Sequence, residues 1–487
     1  MMKAGLPATD VQAPGGIYGT YQRRREPAVE AQGRVVKPGQ VVFLPDEPIV
    51  RRQGRDPAPL TVTQRHWWDH LETHQSGHGE RLVQFAVRIR GPLDVDRLRH
   101  CLNLVIRRHE SLRTRFLGDD RIVVQQPALE ADGSFRFVDL SARSTAEAEM
   151  AARELAIEFA WLKISLRSGP LLGTLLMQLT PSDHVFVLAA EHIISDLASN
   201  SILHREIWKL YETADDTSLG EPPRQYADFA VWQQTILPTW VATRKSSWLR
   251  KFDGAPSSKI AVAESSTPNA LRRYRLRELE FGRTLTDQLC NVATLIHTKL
   301  AFVVLAAHAS VMSRWCQQQD VLLIFASGGR FRPEQKGMVG FLANSLHMRV
   351  RIDPHDAFCD VVLRIAAEHR EAVASPDFDT LFDLLPNLQT DIYCNWIPMW
   401  MQPQNTRVQC GSTSLDIERF GGDLPWSRRF FPMFYETPSG IVLSVSHEEY
   451  KSLSEALDVW QTDLFHFMGE IVSDPHIPVA TPRMALA

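Results

Sequence analysis

The sequence predicts a layered α/β protein built as two lobes, and three observations carry that expectation. The chain has 487 residues, too many for one compact core at roughly 150 residues per domain. From Leu60 onward, amphipathic helical periodicity alternates with short apolar runs suited to strands, a pattern that favours packed layers over a bundle or a sandwich. Between Trp232 and Pro256, Trp, Pro and basic residues give way to a Gly-Ala-Pro-Ser-Ser turn, which divides the chain in two. The expected units are an N-terminal appendage at 1–58, a first lobe at 59–250 and a second lobe at 251–487.

The appendage is rich in Gly, Pro and Arg and poor in helical periodicity. Within it, Arg34 to Val36 and Val41 to Leu44 flank a Lys-Pro-Gly-Gln turn and predict a short β-hairpin, with a flexible tail as the alternative. In the first lobe the periodicity predicts helices at Val62 to Glu72, Val95 to Arg108, Thr145 to Phe159 and Ser199 to Glu212, the last with Ser199 as N-cap. Leu82 to Arg90 and Val185 to Ala190 read as strands, the second apolar throughout as if buried on both faces. The second lobe predicts one long helix from Leu285 to Trp315, a strand at Val321 to Ala326, and helices at Ala357 to Ala374 and Ser454 to Val472.

Composition excludes several function classes. Hydrophobic residues at 44% and charged residues at 23% describe a globular chain. A formal charge of -4 gives no basic field to draw nucleic acid or an anionic membrane. Six scattered cysteines without a CxxC pair predict reduced thiols and no metal centre. Neither a signal peptide nor an uninterrupted apolar stretch of about 18 residues is visible, so a cytoplasmic location is expected.

Chemistry concentrates in VFVLAAEHIISDLASNSILHREIWKLY, where Glu191, His192 and Asp196 follow a buried strand and precede an amphipathic helix. A short loop between two rigid elements aims a side chain reproducibly into a cleft. One His with an Asp four residues later is by itself a weak signal that fits a solvated or structurally hydrogen-bonded histidine better than a catalytic one. Glu191 and His192, adjacent on extended chain, point to opposite faces and make a poor dyad. Gly421-Gly422-Asp423-Leu424 is superficially similar to a carrier-protein loop but lacks the Ser for an attached arm, and Gly328-Gly329-Arg330 lacks the ending of a phosphate loop. Trp67, Trp68 and Trp426 read as core or interface aromatics.

The stretch resembles HHxxxDG, the signature of the condensation domains of nonribosomal peptide synthetases. PLTVTQRHWW from Pro59, RHESLRTRF from Arg108 to Phe116, YADFAVWQ from Tyr226 to Gln233, GGRFRPE from Gly328 and VGFLANSLHMRV from Val339 resemble further motifs of that family, in order. Two positions depart from the pattern: Glu191 stands at the first His and Leu197 at the Gly. The resemblance implies two lobes, each similar to chloramphenicol acetyltransferase, set in a V around a central tunnel. It implies His192 as the catalytic residue, as base, orienting group or oxyanion donor. Asp196 would be structural, paired with an Arg such as Arg113 or Arg330, and Glu191 would support the site. A Leu at 197 would strain the backbone if φ is positive there, or narrow the tunnel. Asn344 and Ser345 would line the tunnel or serve as plain turn residues.

The implied function is an acyltransferase with no cofactor of its own, forming an amide or ester. Its donor would be the phosphopantetheine arm of an acyl or peptidyl carrier protein supplied in trans, and its acceptor a small amine or alcohol or a second carrier. A catalytically silent scaffold that recruits another biosynthetic enzyme, and a coenzyme A-dependent acyltransferase, are the alternatives. Arg23 to Arg25, Arg244, Lys245, Arg250 and Lys251 are candidate contacts for an acidic carrier, and the hairpin a candidate docking element.

Overall fold

Local signals set the element boundaries closely. In chain order the first half forms β1 (Ala58–Pro59), α1 (Val62–Thr73), β2 (Val83–Arg90), α2 (Val95–Arg108), β3 (Thr114–Gly118), β4 (Val123–Pro127), β5 (Ser134–Asp139), α3 (Thr145–Ala160), β6 (Leu172–Thr180), β7 (Asp183–Ala190), α4 (Leu197–Thr213) and α5 (Tyr226–Phe252). The second half forms β8 (Tyr274–Glu280), α6 (Gly282–Leu295), α7 (Leu300–Trp315), β9 (Asp320–Ser327), β10 (Asn344–Arg351), α8 (Phe358–Ala374), α9 (Thr380–Leu384), β11 (Tyr393–Ile397), β12 (Thr406–Cys410), β13 (Thr413–Arg419), β14 (Phe430–Thr437), β15 (Gly440–Glu448) and α10 (Lys451–Ser473). The computed structural model describes residues 47–479 apart from 55, 74–81, 119–122, 129–133, 163, 261, 263–272, 403–404, 422–425 and 427.

Capping explains where the helices start. The Asp94 carboxylate accepts the Arg97 amide at the head of α2, whose buried stripe of Leu98, Cys101, Leu102, Val105 and Ile106 follows helical spacing. Ser144 and Glu147 close a reciprocal capping box on α3. The N-cap of α4 is Asp196 rather than the expected Ser199, which lies three residues inside and donates its amide to the Asp196 carboxylate.

Two six-stranded sheets organise the molecule, one ordered β12-β13-β2-β7-β6-β5 and the other β10-β9-β11-β14-β15-β8. A third sheet joins β1, β4 and β3. β7 is buried along nearly its whole length, as its apolar run predicts. Segments from the second half cross the expected boundary near residue 250. β12 and β13, from late in the chain, complete the first-half sheet, with Ile417 of β13 opposite Ile89 of β2. α5 runs unbroken through the composition change, with Pro238 inside it. The first-half core also takes in Met338, Val339, Phe341 and Leu342 from the second half.

Two further expectations change. The long helix from Leu285 to Trp315 is two helices, α6 and α7, bent by 101°. His297 turns into the left-handed region with φ 52°, and no Gly or Pro marks the break in the sequence. No single helix among the described residues is long and apolar enough to cross a membrane. The hairpin expected at 34–44 lies outside the described residues, but 47–58 is part of the fold rather than an appendage. Ile49 is fully buried, Ala58 pairs with Gln125, and Arg52 bonds to both Asp228 and Glu110.

Candidate active site

β7 delivers the chain to the site and α4 takes it away. The Glu191 amide bonds to the Leu171 carbonyl, and His192 to Ile194 then form one tight turn before α4 begins. Gln64 of α1 donates to the Ile193 carbonyl at 3.0 Å, which fixes the turn from the opposite side. The turn is short and tethered at both ends, so the imidazole has little freedom.

His192 Nδ1 lies 2.8 Å from the Ser195 carbonyl oxygen. A carbonyl only accepts, so Nδ1 carries the proton and Nε2 presents its lone pair. Three aromatic rings surround the imidazole: Phe341 at 4.1 Å between centroids, Trp67 at 5.1 Å and Trp426 at 5.9 Å. Burial among them pushes the His192 pKa below the ordinary 6.5, against the opposing pull of the Ser195 carbonyl and the Asp196 charge. The residue stays partly exposed. The arrangement is a neutral imidazole with one defined free nitrogen.

Asp196 does different work. Its carboxylate accepts both terminal nitrogens of Arg330 at 2.9 and 3.0 Å, the amide and hydroxyl of Ser199 at 2.8 Å each, and the amides of Leu342 and Ala343 at 3.0 Å each. Burial alone would raise this carboxyl, but Arg330 and the Ser199 donors hold it below the usual carboxylate range. Arg330 also donates to the Gly328 and Met338 carbonyls, and Ser199 bridges to Gly340. The loop after β7 and the 328–343 segment are therefore one polar knot.

Of the two arginines considered for Asp196, Arg330 is the partner. Arg113 is buried elsewhere, bonded to the Ala128 carbonyl and 3.9 Å from Glu110. The RHESLRTRF motif reaches the site another way, through Ser111, whose hydroxyl donates to the Val339 carbonyl at 2.9 Å. Tyr226 opens the YADFAVWQ motif and donates to the Phe341 carbonyl at 2.8 Å, placing the ring that faces His192.

Leu197 opens α4 and has no left-handed backbone, so strain from a missing glycine does not arise. Its side chain is part of the wall of a cavity of about 240 Å³ that shares Trp426 with the His192 surroundings. Glu191 is buried at the end of β7. Asn344 and Ser345 start β10, opposite Ser327 and Ala326, and the Ser345 amide bonds to Asp379. Neither is on the wall of that cavity. Among the described residues no three His, Cys, Asp or Glu side chains gather as a metal site needs.

Sequence patterns give Trp67 and Trp426 as core aromatics and do not single out Gln64, Phe341 or Tyr226. Apart from Trp426 these residues fall inside quoted motifs, but their contacts span long stretches of chain and no periodicity reports them. Arg244, expected as a surface contact, is buried with its guanidinium stacked on Trp240, and burial lowers its pKa to about 10. Lys251 is held by Glu368 and Glu371. Arg23 to Arg25 lie outside the described residues.

Two glycines of the knot, Gly329 and Gly340, are sterically required. At Gly329, φ is +64° and a Cβ would fall 1.4 Å from the Leu342 carbonyl oxygen. Backbone on both sides leaves no flexible neighbour to yield, so Gly329→Ala is expected to cost about 3 kcal/mol, the upper end for overpacking. Urea unfolding checks this, and a loss below about 1 kcal/mol would contradict it.

Comparison with known proteins gives a consistent picture. The family model described as Condensation domain matches residues 55–417. A linear gramicidin synthase of Brevibacillus parabrevis is 29% identical over 441 residues, which cover 88% of this chain and 9% of the synthase. The chain thus spans less than a tenth of that relative. The X-domain from teicoplanin biosynthesis superposes with a TM-score of 0.73 at 19% identity, covering 89% of this chain and 99% of that one. The first condensation domain of the calcium-dependent antibiotic synthetase, in complex with a substrate analogue, superposes with a TM-score of 0.68 at 20% identity, covering 87% and 98%.

Proposed function

From the fact that the chain belongs to the condensation domain family of the nonribosomal peptide synthetases, we propose that it is an active acyltransferase. It moves an acyl, peptidyl or polyketidyl group from the phosphopantetheine thioester of a carrier protein to an amine or hydroxyl, making an amide or an ester. The observation that carries this reading is His192, with Nδ1 bound to the Ser195 carbonyl and Nε2 left as the acceptor.

The chemistry needs little else. Holding thioester and nucleophile side by side supplies most of the acceleration. The nucleophile's lone pair forms the new bond to the carbonyl carbon while its proton passes to Nε2. The tetrahedral oxyanion then collapses, the carbon–sulfur bond breaks, and the departing thiolate recovers the proton from the imidazolium. Atoms and charge balance without a resident cofactor.

A second reading, a silent scaffold, draws support from Glu191 in place of the family's first histidine. One assay separates the two. The full chain is incubated with an acyl-loaded carrier and candidate amines and alcohols, and products are followed by mass spectrometry. New amide or ester supports transfer, and no product with any donor supports the scaffold. Equal use of a coenzyme A thioester would reassign the donor.

The pH profile of this transfer follows from the depressed His192 pKa. The base works when neutral, and a lowered pKa keeps it neutral further into acid. With an alcohol acceptor, which does not titrate in this range, the single-turnover rate is expected to be flat from pH 8 to 7 and to fall only below the ordinary imidazole value of about 6.5. A rate already halved at pH 7 would contradict the assignment.

A further inference from the structure

α1 stands between the two halves of the chain and turns a different side to each. Gln64 and Trp67, about a turn apart, meet the His192 turn: Gln64 donates to the Ile193 carbonyl at 3.0 Å, and the Trp67 ring lies 5.1 Å from the imidazole. Trp68 goes into the first-half core against Phe116. Thr63 and His66, also about a turn apart, meet the second-half segment that carries α9. The Thr63 hydroxyl donates to the Asp379 carboxylate, and His66 Nε2 lies 3.0 Å from the Asp383 carboxylate.

The segment that grips α1 is itself held firmly. Phe378 and Asp379 take left-handed φ of 51° and 63°, a costly conformation for residues with a Cβ, which persists only where the surroundings over-determine it. Here they do. The Asp379 amide donates to Asp377, the Asp379 carboxylate also accepts the Ser345 amide, and Asp377 bonds to His347 of β10. Trp240 of α5 donates to the Pro376 carbonyl, and the Phe378 ring packs on Trp232 and Trp240. Burial works against charge on His66, but Asp383, Asp379 and Asp69 outweigh it and raise the His66 pKa above the ordinary 6.5. Nε2 can carry the bonding proton in either charge state, so the contact to Asp383 does not require a charged ring.

We propose that His66 is a positioning residue for the reaction: with Thr63 it clasps α1 to Asp383 and Asp379, and α1 passes that grip to the His192 turn through Gln64 and Trp67. The inference rests on the transfer reading above and adds to it a residue that acts only through a helix.

Asp383 has a side chain 49% exposed, and replacing such a residue costs the fold little, so Asp383→Ala is the first variant. Its single-turnover rate of acyl transfer is expected to fall about tenfold to a hundredfold, a misplacement of about 1 Å being enough for the larger figure. Calorimetric affinity for an unreactive acyl-pantetheine thioether should stay unchanged. His66→Leu should reproduce both results, whereas His66→Gln, whose amide nitrogen can still donate to Asp383, should recover most of the rate. A second readout needs no turnover. With carbon-13 at the histidine Cε1 positions of the full chain, the His192 resonance is identified by its loss in His192→Ala. Asp383→Ala and His66→Leu are expected to displace it, because the Trp67 ring beside it moves, and His66→Gln to leave it in place. An unmoved resonance in folded Asp383→Ala and His66→Leu would overturn the proposal, whether or not the chain transfers an acyl group. Equal loss of rate in His66→Gln and His66→Leu would overturn it too, since the hydrogen bond to Asp383 would then not be what holds α1. A displaced resonance in a chain that transfers nothing would remove the transfer reading and leave the clasp standing.

Discussion

Replacing His192 with alanine is expected to lower the single-turnover rate of acyl transfer by about a hundredfold to ten-thousandfold, the usual range for a positioned general base. Nε2 is the acceptor left on the ring once Nδ1 is bound to the Ser195 carbonyl, and alanine supplies no substitute. Binding of an unreactive acyl-pantetheine thioether should change little, because on the proposed mechanism the imidazole acts on the nucleophile's proton rather than on the acyl chain. The measurement is single-turnover kinetics with a loaded carrier, alongside calorimetric affinity for the thioether. A rate within a few-fold of the parent, with the fold intact, would remove His192 as the base and leave positioning as the source of rate.

Arg330→Met is expected to destabilise the protein by about 3–5 kcal/mol, the range for breaking a buried ion pair by removing one partner. Asp196 is 2% exposed, and its carboxylate would keep the amide donors of Ser199, Leu342 and Ala343 but lose its counter-charge. Pairing the change with Asp196→Asn should restore only part of the loss: the uncompensated charge is gone, but the amide nitrogen cannot accept from the backbone N–H groups that bond the oxygen it replaces. Urea unfolding of both variants checks this, and a loss below about 1 kcal/mol for Arg330→Met would show that the backbone donors suffice. The sign with pH is fixed by the same pair. The folded-state Asp196 pKa lies below its unfolded value, so its contribution is full above about 3.9 and disappears as pH falls through the folded pKa. Arg330→Met should therefore narrow its gap to the parent in strong acid.

The two substitutions probe separate parts of one site. On the proposed mechanism His192 takes the nucleophile's proton, whereas Asp196 and Arg330 hold the turn that aims it. The knot joins residues 196–199 to 328–343, so weakening it is expected to act on the rate only through geometry.

The features legible without the structure are local ones. Helix starts and strand runs follow from side-chain periodicity and caps, which act over a few residues, and so α2 was legible to the residue and β7 nearly so. His192 and Asp196 were legible because a motif of neighbouring residues resembles a known family. The α6–α7 break was not, because a left-handed His297 looks like any other residue in a helical pattern.

The choice of Arg330 over Arg113, the crossing of β12 and β13 into the first sheet, and the rings around His192 were decided by the tertiary structure alone. Each depends on groups more than a hundred residues apart meeting in space, or on which of several chemically equivalent candidates the backbone brings near. An arginine's charge is the same at either position. Only packing determines which guanidinium reaches the buried carboxylate.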